Sequence, residues 1–358
     1  MSILYFKILF ISILLSAVFT FLIRKLALRL RIVDKPNSER KFHQGEIPFL
    51  GGVAIYLAFF IILYFLRSYL LSGNLEPHHW LGFFVGATFL IIGGALDDKY
   101  NLPAKYQLIF PFLAALSVIA GGVEIAKITN PLGGNLNLND LKIPIIYFGG
   151  AWHYFVIVSD VLIFLWLMGM MYTTKLLDGV DGLVTGVTGI GGFIVFLFTI
   201  STKYYQPDIA IAALVLTGAC AGFLIFNWNP AKIFLGEGGS LLLGFALGVL
   251  AIISGGKIAI ALLVMAIPIM DVIWIIIRRL REGKNPFKYS DRKHLHFRLQ
   301  DLGLSVKQTA LVYYAFALIF GLSALFLQSR GKIFALAILV LIMISLVVGF
   351  SYIDKKKI

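Results

Sequence analysis

The residues of this sequence that could do chemistry are carboxylates beside glycines, placed where one apolar stretch ends and the next begins. Asp178 and Asp181 stand three apart in Asp178-Gly179-Val180-Asp181-Gly182, so on a helical turn they would share a face. The glycines allow a tight turn and a close approach by a ligand. Taken alone, the segment fits a pair of solvated acids in a loop as well as it fits a functional site.

Two further acidic elements occupy the same kind of position. Asp97 and Asp98 follow the apolar stretch that ends in Gly93-Gly94, and Glu237 lies among glycines just before another apolar stretch. Such acids can bind a divalent cation or accept a proton from a nucleophile. The N–H groups of a helix that starts near Glu237 could hold a phosphate. The simpler alternatives are a solvated helix end and a Pro/Gly turn.

Histidines and cations gather in two other loops, and the side chains of interest are Lys35, Arg40, His43, His294, His296 and Arg298. A zinc site at the paired histidines lacks a local third His or a Cys. Cationic donors of this kind suit a pyrophosphate, and the Arg and Lys residues also suit anionic lipid. Acids, histidines, cations and glycine-rich helix starts together indicate a site for a divalent metal and phosphate.

The elements that must position these residues are apolar helices. The 358 residues are 59% hydrophobic, well above the roughly 45–50% of soluble domains. Stretches near twenty residues are long enough to span a bilayer. They predict an all-α polytopic membrane protein with a single domain over 1–358 and about eleven transmembrane helices, over 3–23, 48–71, 80–96, 105–122, 154–174, 183–201, 209–226, 239–254, 258–280, 308–328 and 333–352.

The placement of charge predicts the orientation of these spans. The net charge is +13, and most basic residues fall in loops on one side, which the positive-inside rule makes cytoplasmic. The N-terminus is then outside, the C-terminus is cytoplasmic, and the active site lies in cytoplasmic loops. Membrane topology therefore explains the basic residues better than nucleic-acid binding does. Cys220 is the only cysteine, which excludes a disulfide framework. Alternating Leu and Asn within 123–153 predicts a short hairpin.

These loops, in this order, resemble the polyprenyl-phosphate N-acetylhexosamine-1-phosphate transferases, the family that contains WecA, TagO and MraY. The likeness covers nearly the whole chain and is closest to the WecA and TagO type. It rests on the Lys35–Gly52 loop, the Asp97-Asp98 pair, the Asp178–Gly182 segment, the Asn229–Glu237 loop and His294-Leu295-His296.

The resemblance implies transfer of N-acetylhexosamine 1-phosphate, by default that of GlcNAc, from a UDP-sugar to undecaprenyl or another polyprenyl phosphate. UMP would leave, and the lipid-pyrophosphate-linked sugar would initiate a cell-envelope glycan such as lipopolysaccharide or teichoic acid. The implied cofactor is Mg²⁺, with Mn²⁺ as an alternative. The implied location is the plasma (inner) membrane, with the site facing the cytoplasm. The implied partners are the two substrates and the membrane, with a homodimer left open and no nucleic acid.

The same resemblance assigns roles to individual residues. Asp97, Asp98, Asp178 and Asp181 are expected to be catalytic, and Glu237 is expected to ligate the metal together with Asp178 and Asp181. Asn227 and Phe234 are expected to contact the nucleoside. The remaining substrate-binding positions are Lys35, Arg40, His43, His294, His296 and Arg298.

Three positions depart from the pattern that the resemblance implies. Lys175 stands where Asn is usual, Glu237 where Asp is usual, and Phe297 where a further His is usual. Glu237 keeps the negative charge on a longer arm, whereas Lys175 adds a cation beside the acids. The hypotheses are a coupled exchange that retains activity, a shifted sugar or metal preference, and loss of activity.

Other functions also fit the sequence. Within the family, the alternative is a phospho-MurNAc-pentapeptide transferase. Outside it, a membrane transporter would use polar groups at mid-membrane and broken helices, and Asp271 after Pro268 favours that class. A CDP-alcohol phosphotransferase also uses acids and Mg²⁺ at a membrane surface. The role of Asp271 is left open.

Overall fold

A computed structural model describes residues 2–34, 45–73, 75–130, 134–148, 151–201, 205–255, 258–283 and 293–356. The helices are α1 (Ser2–Arg29), α2 (Gly51–Phe65), α3 (Arg67–Leu70), α4 (Pro77–Tyr100), α5 (Ala104–Gln107), α6 (Ile109–Ala120), α7 (Ile157–Leu177), α8 (Leu183–Thr199), α9 (Pro207–Asn227), α10 (Gly236–Ile253), α11 (Ile258–Val264), α12 (Ala266–Arg281), α13 (Leu295–Asp301), α14 (Val306–Phe326) and α15 (Ser329–Lys356). The strands are β1 (Val33–Asp34), β2 (Ile47–Pro48), β3 (Lys127–Thr129), β4 (Asn135–Asn137), β5 (Lys142–Phe148) and β6 (Ala151–Val156).

Six described helices are long and apolar enough to cross a membrane, namely α1, α4, α7, α9, α10 and α14. Helices α11 and α12 pass the same test as a pair, although the chain bends by 77° between them. Three shorter apolar stretches are also helical: Gly51–Phe65, Ala104–Ala120 and Leu183–Thr199. These helices make the protein a multi-pass helical membrane protein, as expected, whereas the count of eleven spans and their orientation stay predictions.

Three of the expected spans are each divided between two helices. The stretch over 105–122 is divided at Leu108, between α5 and α6. The stretch expected to be a ninth span over 258–280 breaks at Met265, between α11 and α12. Pro268 accounts for the break, because it has no N–H for the carbonyl of Val264 and its ring would clash with that carbonyl. The stretch over 48–71 is also interrupted, since α2 ends at Phe65 and α3 is a separate short helix.

Strands occupy more of the segment before α7 than the sequence indicates. The Leu/Asn segment forms the expected hairpin, in which Lys127 pairs with Asn137 and Thr129 with Asn135. A second hairpin, β5 with β6, follows it and was not predicted. The span expected to begin at 154 therefore begins at Ile157, because residues 154–156 belong to β6. The fold is thus mainly, not purely, α-helical.

Helix α10 lies at the centre of the bundle and packs against α2, α4 and α7. Every residue from Gly238 to Ile252 is buried, as expected for a helix that is apolar on all sides. Its first turn approaches α4 and α2 very closely. A Cβ on Gly94 of α4 would overlap the backbone of Gly238, and a Cβ on Gly52 of α2 would overlap the backbone of Gly239. Glycine at these crossings brings the end of α4 against the start of α10.

Candidate active site

The close crossing of α4 and α10 places Asp98 at the start of α10. The Oδ1 atom of Asp98 accepts a hydrogen bond of 2.9 Å from the backbone N–H of Glu237. An anion at the N-terminus of a helix also interacts favourably with the helix dipole. Gly236 has φ 73°, and a Cβ there would overlap the Asp98 carboxylate. Glycine is therefore required at this position both by the backbone conformation and by the neighbouring carboxylate.

Asp97 is engaged in the turn that follows α4. Its Oδ1 atom accepts hydrogen bonds from the backbone N–H of Leu102, at 2.8 Å, and from Nε2 of Gln107, at 3.0 Å. The Gln107 Nε2 group also donates to the carbonyl of Leu102, at 2.9 Å. Asp97 thus stabilises this turn, and its predicted catalytic role stays a prediction.

Lys175, in the last turn of α7, lies directly against Glu237. Its Nζ atom is 2.5 Å from Glu237 Oε1 and 3.0 Å from Gln107 Oε1. Because Gln107 donates to Asp97, a polar chain runs from Glu237 through Lys175 and Gln107 to Asp97. Lys175 and Glu237, two of the three positions that depart from the pattern implied by the resemblance, thus form an ion pair. The sequence drew attention to Lys175, whereas nothing in the sequence pointed to Gln107.

Asp178 and Asp181 lie on the turn between α7 and α8 but have different surroundings. Asp178 is an exposed residue. Many protein atoms nevertheless surround its carboxyl, and this desolvation raises the pKa of the carboxyl to about 8, with further contributions from the charges of Glu237, Asp98 and Asp181. Asp181 Oδ2 accepts hydrogen bonds from the side-chain amide of Asn229, at 2.8 Å, and from a backbone N–H. Asp178 is therefore the acid open to a ligand, and Asp181 anchors the loop that follows α9.

That loop, 228–235, is held in place from both ends. Asn227 is 4% exposed, and its amide accepts from Thr185 Oγ1 and donates to the carbonyl of Ile233, each at 3.0 Å. The backbone N–H of Phe234 donates to the carbonyl of Pro48, at 2.9 Å. Asn227 therefore orders the loop from within. The expected contacts of Asn227 and of the half-buried Phe234 with a nucleoside stay predictions.

The histidine segment is fixed by Asp271, whose role the sequence left open. Asp271 Oδ2 is 2.8 Å from His294 Nδ1, and Asp271 Oδ1 accepts from the backbone N–H of Leu295, at 2.9 Å. All three residues are buried. A carboxylate inside an apolar helix is a strong indication of a specific role, and here the carboxylate sets the position of the first turn of α13.

His296 carries this segment to the turn that holds Asp178. Its side chain is fully buried, and neither ring nitrogen has a hydrogen-bond partner among the described residues. A Cβ added to Gly179 would lie 2.9 Å from His296 Nε2, so the glycine leaves room for the ring. Burial lowers the pKa of the His296 imidazole to about 4, against a smaller opposing effect of Asp271 and a further lowering by His294. His296 is therefore neutral at pH 7.

The remaining predicted substrate-binding residues are only partly visible. Arg298 donates from Nε to the carbonyl of Lys293, at 3.2 Å. It lines a shallow recess whose other lining residues are Asp271, Trp274, Lys293, Leu295, Met343 and Leu346. Lys35, Arg40 and His43 lie outside the described residues.

The acids offer a divalent metal suitable donors without a complete set of ligands. No three His, Cys, Asp or Glu side chains in the described ranges are grouped so that they could hold a metal by themselves. However, the charges of Asp98, Asp181 and Glu237 all raise the pKa of Asp178, and a cation would relieve this repulsion. Mg²⁺ binds through few carboxylates, completed by substrate phosphates and water. The donor set fits that mode of binding.

Known proteins are similar to this chain over most of its length. A family model described as "Glycosyl transferase family 4" matches residues 80–255. The chain is 30% identical over 343 residues, 93% of this chain and 88% of the other, to the "Probable undecaprenyl-phosphate N-acetylglucosaminyl 1-phosphate transferase" of Bacillus subtilis (strain 168). It is 30% identical over 335 residues (89% and 80%) to the "Undecaprenyl-phosphate alpha-N-acetylglucosaminyl 1-phosphate transferase" of Escherichia coli (strain K12).

The chain belongs to the polyprenyl-phosphate N-acetylhexosamine-1-phosphate transferase family. A more distant member is the "Decaprenyl-phosphate N-acetylglucosaminephosphotransferase" of Mycolicibacterium smegmatis, which is 27% identical over 360 residues (91% and 84%). The resemblance stated from the loop motifs is confirmed. The matched range 80–255 contains all five acids of the site. The histidine segment lies beyond that range, and the fold brings it to Gly179.

Proposed function

We propose that this transferase moves N-acetylhexosamine 1-phosphate, most simply GlcNAc 1-phosphate, from a UDP-sugar to undecaprenyl phosphate or a related polyprenyl phosphate. The product is a lipid-pyrophosphate-linked sugar that initiates a cell-envelope glycan. The observation that carries the proposal is the similarity over about nine-tenths of the chain to relatives named for this activity. The grouping of Asp98, Asp178 and Glu237 where α4, α7 and α10 meet supports it.

The reaction is a displacement at phosphorus. An oxygen of the lipid phosphate bonds to the β-phosphorus of the UDP-sugar, and the bond from that phosphorus to the oxygen bridging to UMP breaks. UMP leaves with that oxygen, so no oxidant or reductant is needed. Asp178 is the acid open to the substrates, and its carboxylate, when ionised, would accept a proton from a protonated lipid phosphate. The charge of Asp98 contributes to the raised pKa of Asp178.

Other residues in this proposal bind and orient the substrates. His296 brings an imidazole to Gly179, next to Asp178, and its contact with a pyrophosphate is part of the proposal. Asp271 fixes the neighbouring His294. Phe234 and the loop held by Asn227 and Asp181 would receive the nucleoside. Lys35, Arg40, His43 and Arg298 would add positive charge for the phosphates.

Mg²⁺, with Mn²⁺ as the alternative, is part of the proposal. When bound, the ion would neutralise the charge that develops on the pyrophosphate. Asp178 and Glu237 would hold it. Asp181 has one oxygen engaged by Asn229 and a backbone N–H, so its contribution would come through its other oxygen.

The finer topology also belongs to the proposal. Eleven spans result if the six long helices, the bent α11–α12 pair, the three shorter apolar stretches and α15 each cross once. The charge asymmetry then places the N-terminus outside, and the C-terminus and the active site on the cytoplasmic face of the plasma membrane. Fusions of a cytoplasm-dependent and an export-dependent reporter to the C-terminus test this, because only the first should be active.

A substrate panel tests the proposed reaction. Purified protein in detergent is incubated with undecaprenyl phosphate and, in turn, UDP-GlcNAc, UDP-GalNAc and UDP-MurNAc-pentapeptide, with Mg²⁺ or Mn²⁺. We expect UMP release with at least UDP-GlcNAc. Release with the pentapeptide substrate alone would support the phospho-MurNAc-pentapeptide alternative. The absence of UMP with every UDP-sugar and both ions would overturn the proposal.

One observation favours the transporter alternative, namely the 77° bend between α11 and α12, because transporters use broken helices. However, both carboxylate oxygens of Asp271, the acid in this region, are engaged by α13 and the residue before it. This acid therefore has a structural partner within the chain. Uptake of labelled UDP-sugar into proteoliposomes without UMP formation would support the transporter.

A further inference from the structure

The ammonium group of Lys175 lies among three neighbouring side chains. Its Nζ atom contacts Glu237 Oε1 at 2.5 Å and Gln107 Oε1 at 3.0 Å, and lies 5.6 Å from the centre of the Tyr172 ring. The side chains of Lys175 and Glu237 are 23% and 16% exposed. An ion pair that is partly withdrawn from water is screened less than a pair on the surface.

The orientation of Gln107 makes this position favourable for a hydrogen-bond donor. Its Nε2 group donates both to Asp97 Oδ1 and to the carbonyl of Leu102. With the amide nitrogen committed to these two acceptors, Oε1 must face Lys175. The ammonium therefore has a neutral acceptor beside Glu237, and this acceptor would continue to hold it if Glu237 turned away.

The ion pair conflicts with the role that Glu237 would have in holding a metal. A divalent ion lies about 2.0–2.1 Å from a ligating oxygen when it is Mg²⁺. Since the ammonium already contacts one oxygen of Glu237, an ion on the other oxygen would lie within a few ångströms of it. Two cations so close repel each other, so metal binding requires Lys175 and Glu237 to separate or to share the carboxylate at a cost in affinity.

We propose that Lys175 is a built-in counter-ion of Glu237 that competes with the divalent cation and thereby sets the cation affinity of this transferase. The inference rests on the proposed function, because it assumes that the acids hold a metal. It gives a reason for the joint presence of Lys175 and Glu237: the longer arm of Glu reaches the ammonium, and Gln107 retains the ammonium after the pair separates. Lys175 acts here through Glu237, so it is a residue that tunes the site.

Direct measurement of Mn²⁺ binding tests the inference without relying on activity. Free Mn²⁺ is followed by its electron paramagnetic resonance signal during titration of purified protein in detergent, in the absence of substrates. For Lys175→Met we expect the Kd for Mn²⁺ to fall at least about tenfold, because removing a nearby like charge favours the bound ion. Lys105→Met is the matched control, since it removes the same charge from an exposed lysine, and its Kd should stay within about twofold of wild type.

Two further variants control for misfolding and for a general effect of removing a positive charge. Lys175→Gln keeps a polar group that can contact Gln107, and it should tighten Mn²⁺ binding in the same direction. The double variant Lys175→Met/Glu237→Gln should lose the gain, because the freed carboxylate is then gone. All variants are compared at equal monodispersity in size-exclusion chromatography.

The outcomes separate this inference from the proposed reaction. Equal or weaker Mn²⁺ binding by both Lys175 variants overturns the inference, even if UMP release persists and the proposed function stands. The absence of Mn²⁺ binding in every protein also overturns it. Tighter binding by both Lys175 variants supports it even if no UDP-sugar in the panel is turned over.

Discussion

The crossing of α4 and α10 provides the most direct test of how the fold positions the site. In Gly94→Ala, the new Cβ would lie against the backbone N and Cα of Gly238, closer than the 3.0 Å that real Cβ atoms respect. Backbone atoms cannot rotate away as a side chain can. The two helices would therefore have to separate by about 1 Å, and overpacking of this kind costs about 1–3 kcal/mol.

The separation also acts on the hydrogen bond one turn away. Asp98 Oδ1 and the N–H of Glu237 are 2.9 Å apart, and losing a hydrogen bond to a charged group costs about 1.5–3 kcal/mol. Replacing a helical glycine by alanine returns about 0.5–1 kcal/mol. We therefore expect Gly94→Ala to lower the free energy of unfolding by about 2–5 kcal/mol, and turnover to fall about 100-fold because the site is displaced.

Gly169→Ala is the matched control for this prediction. Gly169 lies within α7, and a Cβ there meets nothing within 4 Å. The control should show unchanged turnover and unchanged or slightly higher stability. Both variants are measured by thermal unfolding in detergent and by UMP release. If Gly94→Ala matched Gly169→Ala in both measurements, the account of the glycine crossing would be wrong.

Three further predictions concern the histidine segment and the end of α9. Asp271→Ala leaves two buried donors, His294 Nδ1 and the N–H of Leu295, without an acceptor. The free energy of unfolding should therefore fall by about 2–5 kcal/mol. Asp271→Asn keeps one acceptor and should lose about half as much, so equal losses in thermal unfolding would contradict this reasoning. Asn227→Ala should lower the free energy of unfolding, because the oxygen and the nitrogen of its amide are both hydrogen-bonded within the protein. A higher KM for the UDP-sugar with unchanged stability would instead support the predicted contact with the nucleoside. The pKa of His296 is about 4 in the folded protein, against 6.5 normally, so the unfolded chain binds this proton first as the pH falls. The stability that comes from the neutral imidazole is therefore lost between about pH 6.5 and 4. His296→Leu should show a smaller fall in unfolding temperature over that pH range, and the same fall as in the wild type would rule out this assignment.

The sequence predicted which residues gather, because topology constrains them. Asp97, Asp178 and Glu237 each stand at an end of an apolar stretch, and alternate ends of successive membrane helices return to the same side. The acids are therefore expected together from the topology alone. The histidine pair was expected near them for the same reason, and the structure brings His296 to Gly179.

The partners of these residues could not be predicted from the sequence. The contact of Lys175 with Gln107 and the contact of Asp271 with His294 depend on how far neighbouring helices slide and rotate against each other. Periodicity does not report those quantities. Asp181 is expected to ligate the metal, which stays a prediction, and its Oδ2 atom also anchors Asn229. That second role depends on the path of a loop, which the sequence constrains least.

The unpredicted hairpin β5–β6 has a similar origin. Its second strand is continuous with an apolar run that also fits the start of a membrane helix. The sequence therefore predicts a helix from 154, whereas α7 begins at Ile157. Short apolar runs with aromatic and β-branched residues suit both helix and strand. Pairing with a second strand decides between them, and pairing is not a local property.

The balance of products tests the central claim most directly. Purified protein is given UDP-GlcNAc, undecaprenyl phosphate and Mg²⁺, and both UMP and the lipid-pyrophosphate-linked sugar are quantified by mass spectrometry, with Asp178→Asn as the control for the acid open to the substrates. The account predicts equal amounts of the two products, neither of them formed without the lipid phosphate, and a loss of both in Asp178→Asn. UMP formed in the absence of lipid phosphate, or undiminished turnover by Asp178→Asn, would contradict it.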